Sequence, residues 1–126
     1  DINCTADNNS VADDPTAWDV YAMANVQAPT GDPEYWFTVF ATSDATRNQG
    51  KYSSEKLDEL EKELSAEFDI EKRAELAVQM QQTVLDDHAF VFCSFLKMSM
   101  ISKANVTGYE SHACDYYQVT ADLDIN

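Results

Sequence analysis

The sequence predicts an α/β fold in which strands pack against a pair of helices. Two adjacent segments, 55–67 and 70–86, place apolar residues at helical spacing. Two others, 18–25 and 89–101, alternate or run apolar and are rich in β-branched and aromatic residues. With 126 residues, 44% of them hydrophobic, the chain is long enough for one domain with a hydrophobic core.

The helix pair has the clearest local start signals. Ser54 is a suitable N-cap for the first helix and Asp69 for the second. The predicted apolar stripe of the first helix is Leu57, Leu60, Leu64 and Phe68. That of the second is Ile70, Ala74, Ala77, Val78, Gln81 and Leu85. The short joint between them predicts neighbouring helices, antiparallel or at an angle.

The first third of the chain is divided by turn residues. Residues 1–16 form a polar, loop-rich lead-in, with a short strand expected near 2–5. The segment 27–33 contains two prolines and a glycine, which predicts a loop with several fixed dihedral angles. It ends in Asp32-Pro33, a start signal for a short helix over 34–40.

The C-terminal third is predicted to be mainly β. The apolar run 89–101 indicates one or two strands. Residues 105–109 predict a turn because they contain Asn and Gly. A last strand is expected over 116–120.

The net charge of −15, from 23 acidic and 8 basic residues, argues against two classes of partner. Binding to a phosphate backbone requires clustered Lys and Arg, so we expect no nucleic-acid partner. Adsorption to anionic lipid is disfavoured for the same reason. No apolar run approaches the roughly 18 residues of a transmembrane helix.

The cysteines and histidines give weak indications of chemistry. Cys4, Cys93 and Cys114 are too few and too irregular for a disulfide framework. Cys93 lies in an apolar run and is expected to be buried, and a pairing of Cys4 with Cys114 stays open. His112-x-Cys114-Asp115 has no second ligand cluster, so we predict no metal site and no cofactor.

Catalytic motifs are not evident in the sequence. It contains no G-x-S-x-G element, and its three glycines do not form a phosphate-binding loop. We therefore predict a protein that is not an enzyme. The stretch 35–37, Tyr-Trp-Phe, follows the rigid loop and either fills the core or lines a ligand cleft.

The order of several short motifs resembles the family-5 extracellular solute-binding proteins, the dipeptide, oligopeptide and nickel receptors of ABC importers. The likeness covers about residues 17–126. Its motifs are Trp18-Asp-Val-Tyr-Ala-Met, Gly31-Asp32-Pro33, Gly50-Lys-Tyr52-Ser53-Ser54, Leu57-Asp58-Glu-Leu60, Asp69-Ile-Glu-Lys-Arg73, Gln79–Val84, Ala89-Phe-Val-Phe-Cys93 and Val106-Thr-Gly108-Tyr109.

The resemblance implies that residues 1–126 are a single domain or a fragment, the C-terminal part of a two-lobe protein. The expected fold is then the C-terminal lobe of a type II periplasmic-binding-protein-like fold, with a mixed sheet on a helix pair. Its function would be solute capture by hinge closure and delivery to ABC permease subunits. The implied location is extracytoplasmic, in the periplasm or lipid-anchored as a lipoprotein, and the implied state is a monomer.

The implied ligand is a nickel chelate or a short peptide, with the nickel-type branch slightly favoured. The candidate contacts are Gln27, Tyr35, Trp36, Phe37 and His112. Dipeptide receptors carry an acidic residue for the ligand's ammonium where this chain has Pro29, and a tryptophan where it has Val26. This departure disfavours free dipeptides, because a buried ammonium requires a partner.

Two alternatives from other classes stay open. In the first, the chain is a self-contained acidic interaction domain. In the second, it is an enzyme without a recognisable motif. The length of the complete reading frame discriminates them, since solute receptors of this family run to several hundred residues.

Overall fold

The computed structural model describes residues 12–95, 99–112 and 119–126. A short helix α1 continues directly into a π-helical turn, two longer helices follow, and two short strands pair near the end. The elements are α1 (Glu34–Trp36), the π-helical turn Phe37–Ala41, α2 (Glu55–Ala66), α3 (Ile70–Asp86), β1 (Val106–Thr107) and β2 (Asp124–Ile125). Within the described ranges, no helix combines the length and apolar character needed to cross a bilayer.

The predicted helix pair is confirmed, and its bounds agree with the capping residues. The backbone of Asp69 is extended, and its side-chain carboxylate accepts a hydrogen bond from the backbone N–H of Lys72 at 3.0 Å. Ser54 is also extended and precedes α2, but its hydroxyl makes no capping bond. A capping hydrogen bond therefore marks the start of α3, whereas α2 begins after Ser54 without one.

The core lies between α2 and α3 and under the π-helical turn. Leu57, Leu64 and Met80 are fully buried, and Val84 is almost so. Phe37 and Ala41 complete this cluster from the other side. The backbone N–H of Thr42 donates to the Phe37 carbonyl at 3.0 Å, five residues back, which closes the π turn.

The predicted buried face of α3 is wrong. The buried residues are Ala77, Met80, Thr83 and Val84, whereas Ile70 and Val78 are 82% and 62% exposed. Only Ala77 belongs to both sets. The helical spacing is correct, but the buried face is rotated by about one residue, or ~100°.

The end of the α2 stripe is also corrected. Leu57 and Leu64 are buried and Leu60 packs against the core, as predicted. Phe68, however, is 91% exposed. Since α2 ends at Ala66 and the following residue is extended, Phe68 lies off the helix and does not continue its stripe.

The strands predicted from apolar patterns are not formed in the described residues. The segment 18–25 has no regular structure, and neither do 89–95 or 99–101. A strand requires a neighbour for its backbone groups, and the pattern does not supply one. The predicted strands 2–5 and 116–118 lie outside the described residues, and residues 119–120 are not in a strand.

The sheet that is described has two antiparallel strands. Val106 pairs with Ile125 and Thr107 with Asp124. Gly108 ends β1 with φ of 76°, and a Cβ at this position would lie 1.7 Å from the carbonyl oxygen of Asp122. Only glycine therefore fits at position 108. The predicted turn over 105–109 is wrong for Val106 and Thr107, since these residues form β1 with β2 as their hydrogen-bonding neighbour. The larger mixed sheet of a type II lobe stays a prediction.

Candidate functional site

The loop 26–33 is fixed by a group of contacts around Arg73, which we call the Arg73 junction. The guanidinium donates to both carboxylate oxygens of Asp32, at 3.0 and 2.9 Å, and to Glu34 at 2.8 Å. It also donates to the carbonyls of Leu64 at 2.7 Å and Glu67 at 3.0 Å. One side chain thus joins the loop, the end of α2 and the start of α3.

Asp32 connects this junction to the start of α1. Its carboxylate accepts from the backbone N–H of Glu34 at 2.9 Å, as well as from Arg73. The preceding turn is closed by the Gly31 N–H, which donates to the Ala28 carbonyl at 3.0 Å with Gly31 at φ of 88°. The predicted start signal is therefore confirmed, and it also holds the loop in place.

A cluster of aromatic rings lies beside the loop and is centred on Trp36. The Trp36 ring contacts Phe37, Phe90 and Phe92 with centroid separations of 5.4, 5.2 and 5.5 Å. Tyr52 contacts Phe90 at 6.1 Å. These distances are typical of favourable edge-to-face and tilted pairs. The segment 89–95 is thereby attached to the helices through its rings.

The predicted ligand contacts have different surroundings. Phe37 is 2% exposed and belongs to the core, so its predicted role as a ligand contact is corrected. Trp36 is half-buried, and Tyr35 is 37% exposed. Gln27 and His112 are exposed. Of these five residues, the structure brings Trp36 and Phe37 into ring contact.

Sequence reasoning missed a polar network that shapes the turn before α2. Asn48 is buried, and its amide donates to the carbonyls of Thr42 at 3.1 Å and Tyr52 at 2.6 Å. Its side-chain oxygen accepts from the Tyr52 N–H at 2.9 Å. Asp58 accepts from the backbone N–H of Ser43 at 2.9 Å and from its hydroxyl. A polar residue in a turn gives no sign in sequence that it is buried.

Tyr52 joins this turn to the end of α3. Its hydroxyl donates to the Asp87 carboxylate at 2.6 Å. Burial raises the pKa of Tyr52 above its ordinary value of 10.0, and the acceptor Asp87 raises it further. The phenol therefore stays protonated and keeps this bond at neutral pH.

Glu61 faces a concentration of negative charge. Burial raises the pKa of its carboxyl above the ordinary 4.5, and Glu34, Asp44 and Asp58 add repulsion. Because the pKa of Glu61 is higher in the folded state than in the unfolded state, ionisation of Glu61 disfavours folding. This penalty appears as the pH rises through the raised pKa and is absent below about 4.5.

Replacement of Glu61 by glutamine is accordingly expected to stabilise the chain at pH 7, by on the order of 0.5 kcal/mol. Thermal unfolding at pH 7 and pH 4 checks this, and the gain should shrink at the lower pH. Glu59→Gln, an exposed position on the same helix, controls for the removal of a helix charge. An equal gain from both variants would contradict the assignment of the penalty to Glu61.

The expectation for Cys93 is wrong. Its side chain is exposed, with the thiol 3.7 Å from the Val91 carbonyl oxygen. Residues 91–95 are exposed, whereas Phe90 of the same apolar run packs against the core, so the apolar character of the run did not bury Cys93. Cys4 and Cys114 lie outside the described residues. Among those described, no group of three His, Cys, Asp or Glu side chains is placed to hold a metal ion.

Comparisons with protein-family models, with curated proteins and with solved structures give no match. The resemblance to solute receptors therefore rests on the sequence motifs alone.

Proposed function

We propose that the chain forms the C-terminal part of an extracytoplasmic solute receptor of the family-5 type, which delivers its ligand to ABC permease subunits. Capture would occur by closure of two lobes, and no reaction is catalysed. The protein would act as a monomer in the periplasm or anchored by lipid to the outer face of the cell membrane.

The observation that carries this proposal is the ion pair between Asp32 and Arg73. These residues belong to two separate motifs of the resemblance, Gly31-Asp32-Pro33 and Asp69-x-x-x-Arg73, and they are 41 positions apart. In this contact Nη2 of Arg73 donates to both carboxylate oxygens of Asp32, and it supports the two motifs as parts of one unit.

Other motifs of the resemblance also contact each other. Tyr52 of the Gly50-Lys-Tyr element packs on Phe90 of the Ala89–Cys93 element. Gly108 of the Val106-Thr-Gly element has a positive φ and no room for a side chain. Residues that carry the resemblance are therefore residues that this structure requires for its contacts and turns.

The proposed ligand is a nickel chelate or a short peptide, with the chelate slightly ahead because Pro29 occupies the position of the ammonium partner. The loop around Gln27, with the exposed Tyr35 and half-buried Trp36, would face the cleft. His112 stays a candidate contact. Phe37 is left out because it is buried in the core.

Calorimetry on the protein from the complete reading frame tests this function. We expect saturable binding of nickel–histidine or of a dipeptide, and the nickel–histidine complex should bind more tightly. Binding of neither ligand would contradict the proposal.

The isolated 126-residue chain is the control for lobe closure. It offers at most one side of the cleft, so we expect it to bind weakly or not at all. Submicromolar affinity of the isolated chain would show that binding does not require a second lobe. A reading frame of about 126 codons would also count heavily against a two-lobe receptor.

A further inference from the structure

The residue before β1 is an asparagine in the acceptor pattern for N-linked glycosylation. In Asn105-Val106-Thr107, asparagine is followed by a residue other than proline and then by threonine. Glycan transfer to this pattern occurs in exported proteins and uses acceptors in surface loops. A pattern this short also arises by chance, so the structure around the asparagine must fit the requirement as well.

The structure places Asn105 where a glycan can be attached. The residue is exposed and lies in a turn, which is closed by the Val106 N–H donating to the Lys103 carbonyl at 3.0 Å. Within 12–95, 99–112 and 119–126, the side-chain amide of Asn105 makes no hydrogen bond. Its nitrogen Nδ2, the atom that accepts a sugar, is therefore accessible and unpaired in this part of the chain.

The backbone of Asn105 is held by groups that a glycan would not disturb. Its carbonyl accepts a hydrogen bond from the Asn126 N–H at 2.9 Å, next to the pairing of β1 with β2. This bond uses the backbone oxygen and not the side-chain amide. A sugar on Nδ2 can therefore be carried without loss of a hydrogen bond that the strand pair requires.

Thr107 supplies the hydroxyl of the pattern and is exposed too. Successive side chains of an extended chain alternate in direction, so positions 105 and 107 lie on one side while the half-buried Val106 lies on the other. The Thr107 Oγ1 accepts a hydrogen bond from Nδ2 of Asn126 at 3.0 Å, which leaves the hydroxyl proton for donation. Both chemically essential positions of the pattern are thus at the surface.

Another asparagine provides an internal comparison. Asn25-Val26-Gln27 begins with the same two residues, but its third residue has no hydroxyl. Two further matches to the acceptor pattern, Asn3-Cys4-Thr5 and Asn8-Asn9-Ser10, lie outside the described residues. The structural argument therefore concerns Asn105.

We propose that Asn105 is a site of N-linked glycosylation. The inference rests on the extracytoplasmic location in the proposed function, since the pattern is used in exported proteins. The sugar donor is an oligosaccharide joined through phosphate to a polyprenol lipid. A bond forms between Nδ2 and C1 of the first sugar, and the bond from C1 to the phosphate oxygen breaks. The lipid phosphate leaves with the bonding electrons, Nδ2 gives one proton to a base of the transferase, and nothing is oxidised or reduced.

Peptide mass spectrometry of the protein purified from the organism that encodes it tests this inference. The peptide that contains Asn105 should be heavier than its sequence mass by a sum of sugar residues, and fragmentation should locate the added mass on Asn105. The peptide that contains Asn25 should have its unmodified mass. A glycan on Asn25 would contradict the dependence on the hydroxyl residue.

Three variants made in the same organism show whether the acceptor pattern is responsible. Asn105→Gln should remove the added mass, because glutamine is not an acceptor. Thr107→Val should also remove it, since valine keeps the shape of threonine and lacks the hydroxyl, whereas Thr107→Ser should retain it. Retention of the mass in Thr107→Val, or its loss in Thr107→Ser, would overturn the assignment.

Cell fractionation of the same culture separates this inference from the function on which it rests. If the protein lies outside the cytoplasmic membrane and its Asn105 peptide is unmodified, glycosylation is wrong and the receptor function stands. If the protein is in the cytoplasm, both are overturned. An extracytoplasmic protein with a glycan on Asn105 supports both.

Discussion

Replacement of Leu64 by alanine is expected to destabilise the 126-residue chain by about 3 kcal/mol. Leu64 is 0% exposed and lies in the core between α2 and α3, so the truncated side chain leaves a cavity. The other members of the core cluster, among them Met80 and Phe37, can refill this space only in part. Urea unfolding followed by circular dichroism should show a lower midpoint with an unchanged slope.

Phe68→Ala is the matched control because the same sequence stripe includes both residues. Phe68 is 91% exposed, so its truncation should change the free energy of unfolding by no more than about 0.5 kcal/mol. Comparable losses from both variants would contradict the packing described here. They would instead support the longer stripe that spacing alone predicts.

Replacement of Arg73 by methionine is expected to cost about 2–3 kcal/mol. The change keeps an apolar stem of similar length but leaves Asp32 and Glu34 without their cation. It also removes the donor to two carbonyls at the end of α2. The cost is below that of a fully buried pair because the Asp32 side chain is 47% exposed and water relieves part of it.

Two further variants isolate the role of this residue. Arg73→Lys keeps the charge but cannot make the same set of contacts, so it should recover only part of the stability. Asp32→Asn combined with Arg73→Met should cost less than the sum of the single changes, since both act on one junction. Full additivity would mean that the Asp32–Arg73 contact contributes nothing to stability.

The sequence predicted some local elements well. Asp69 identified the start of α3, and Pro33 with Asp32 identified the start of α1, because these signals act within one turn of the chain. The turn predicted over 105–109 was wrong for Val106 and Thr107, because they form β1 by pairing with a segment distant in the sequence. Neighbouring aromatic residues of the candidate site have different exposures that their type does not reveal: Tyr35 is exposed, Trp36 is half-buried and Phe37 is in the core. The ligand role of Tyr35 and Trp36 stays a prediction.

The tertiary structure decided which face of α3 is buried and whether the apolar run 89–95 forms a strand. The phase of α3 depends on how it docks on α2, so Met80 and Val84 are buried and Ile70 is not. The apolar run 89–95 supplies rings to Trp36 without forming a strand, because a strand requires a hydrogen-bonding neighbour.

The sequence by itself determined where the helices begin, because capping and spacing involve residues a few positions apart. Only the tertiary structure decided that Arg73 contacts Asp32, 41 positions away, while Arg47 is exposed. Both are arginines in an acidic chain, and their type does not distinguish them. The difference lies in which carboxylates the folded chain brings within hydrogen-bonding distance of each guanidinium.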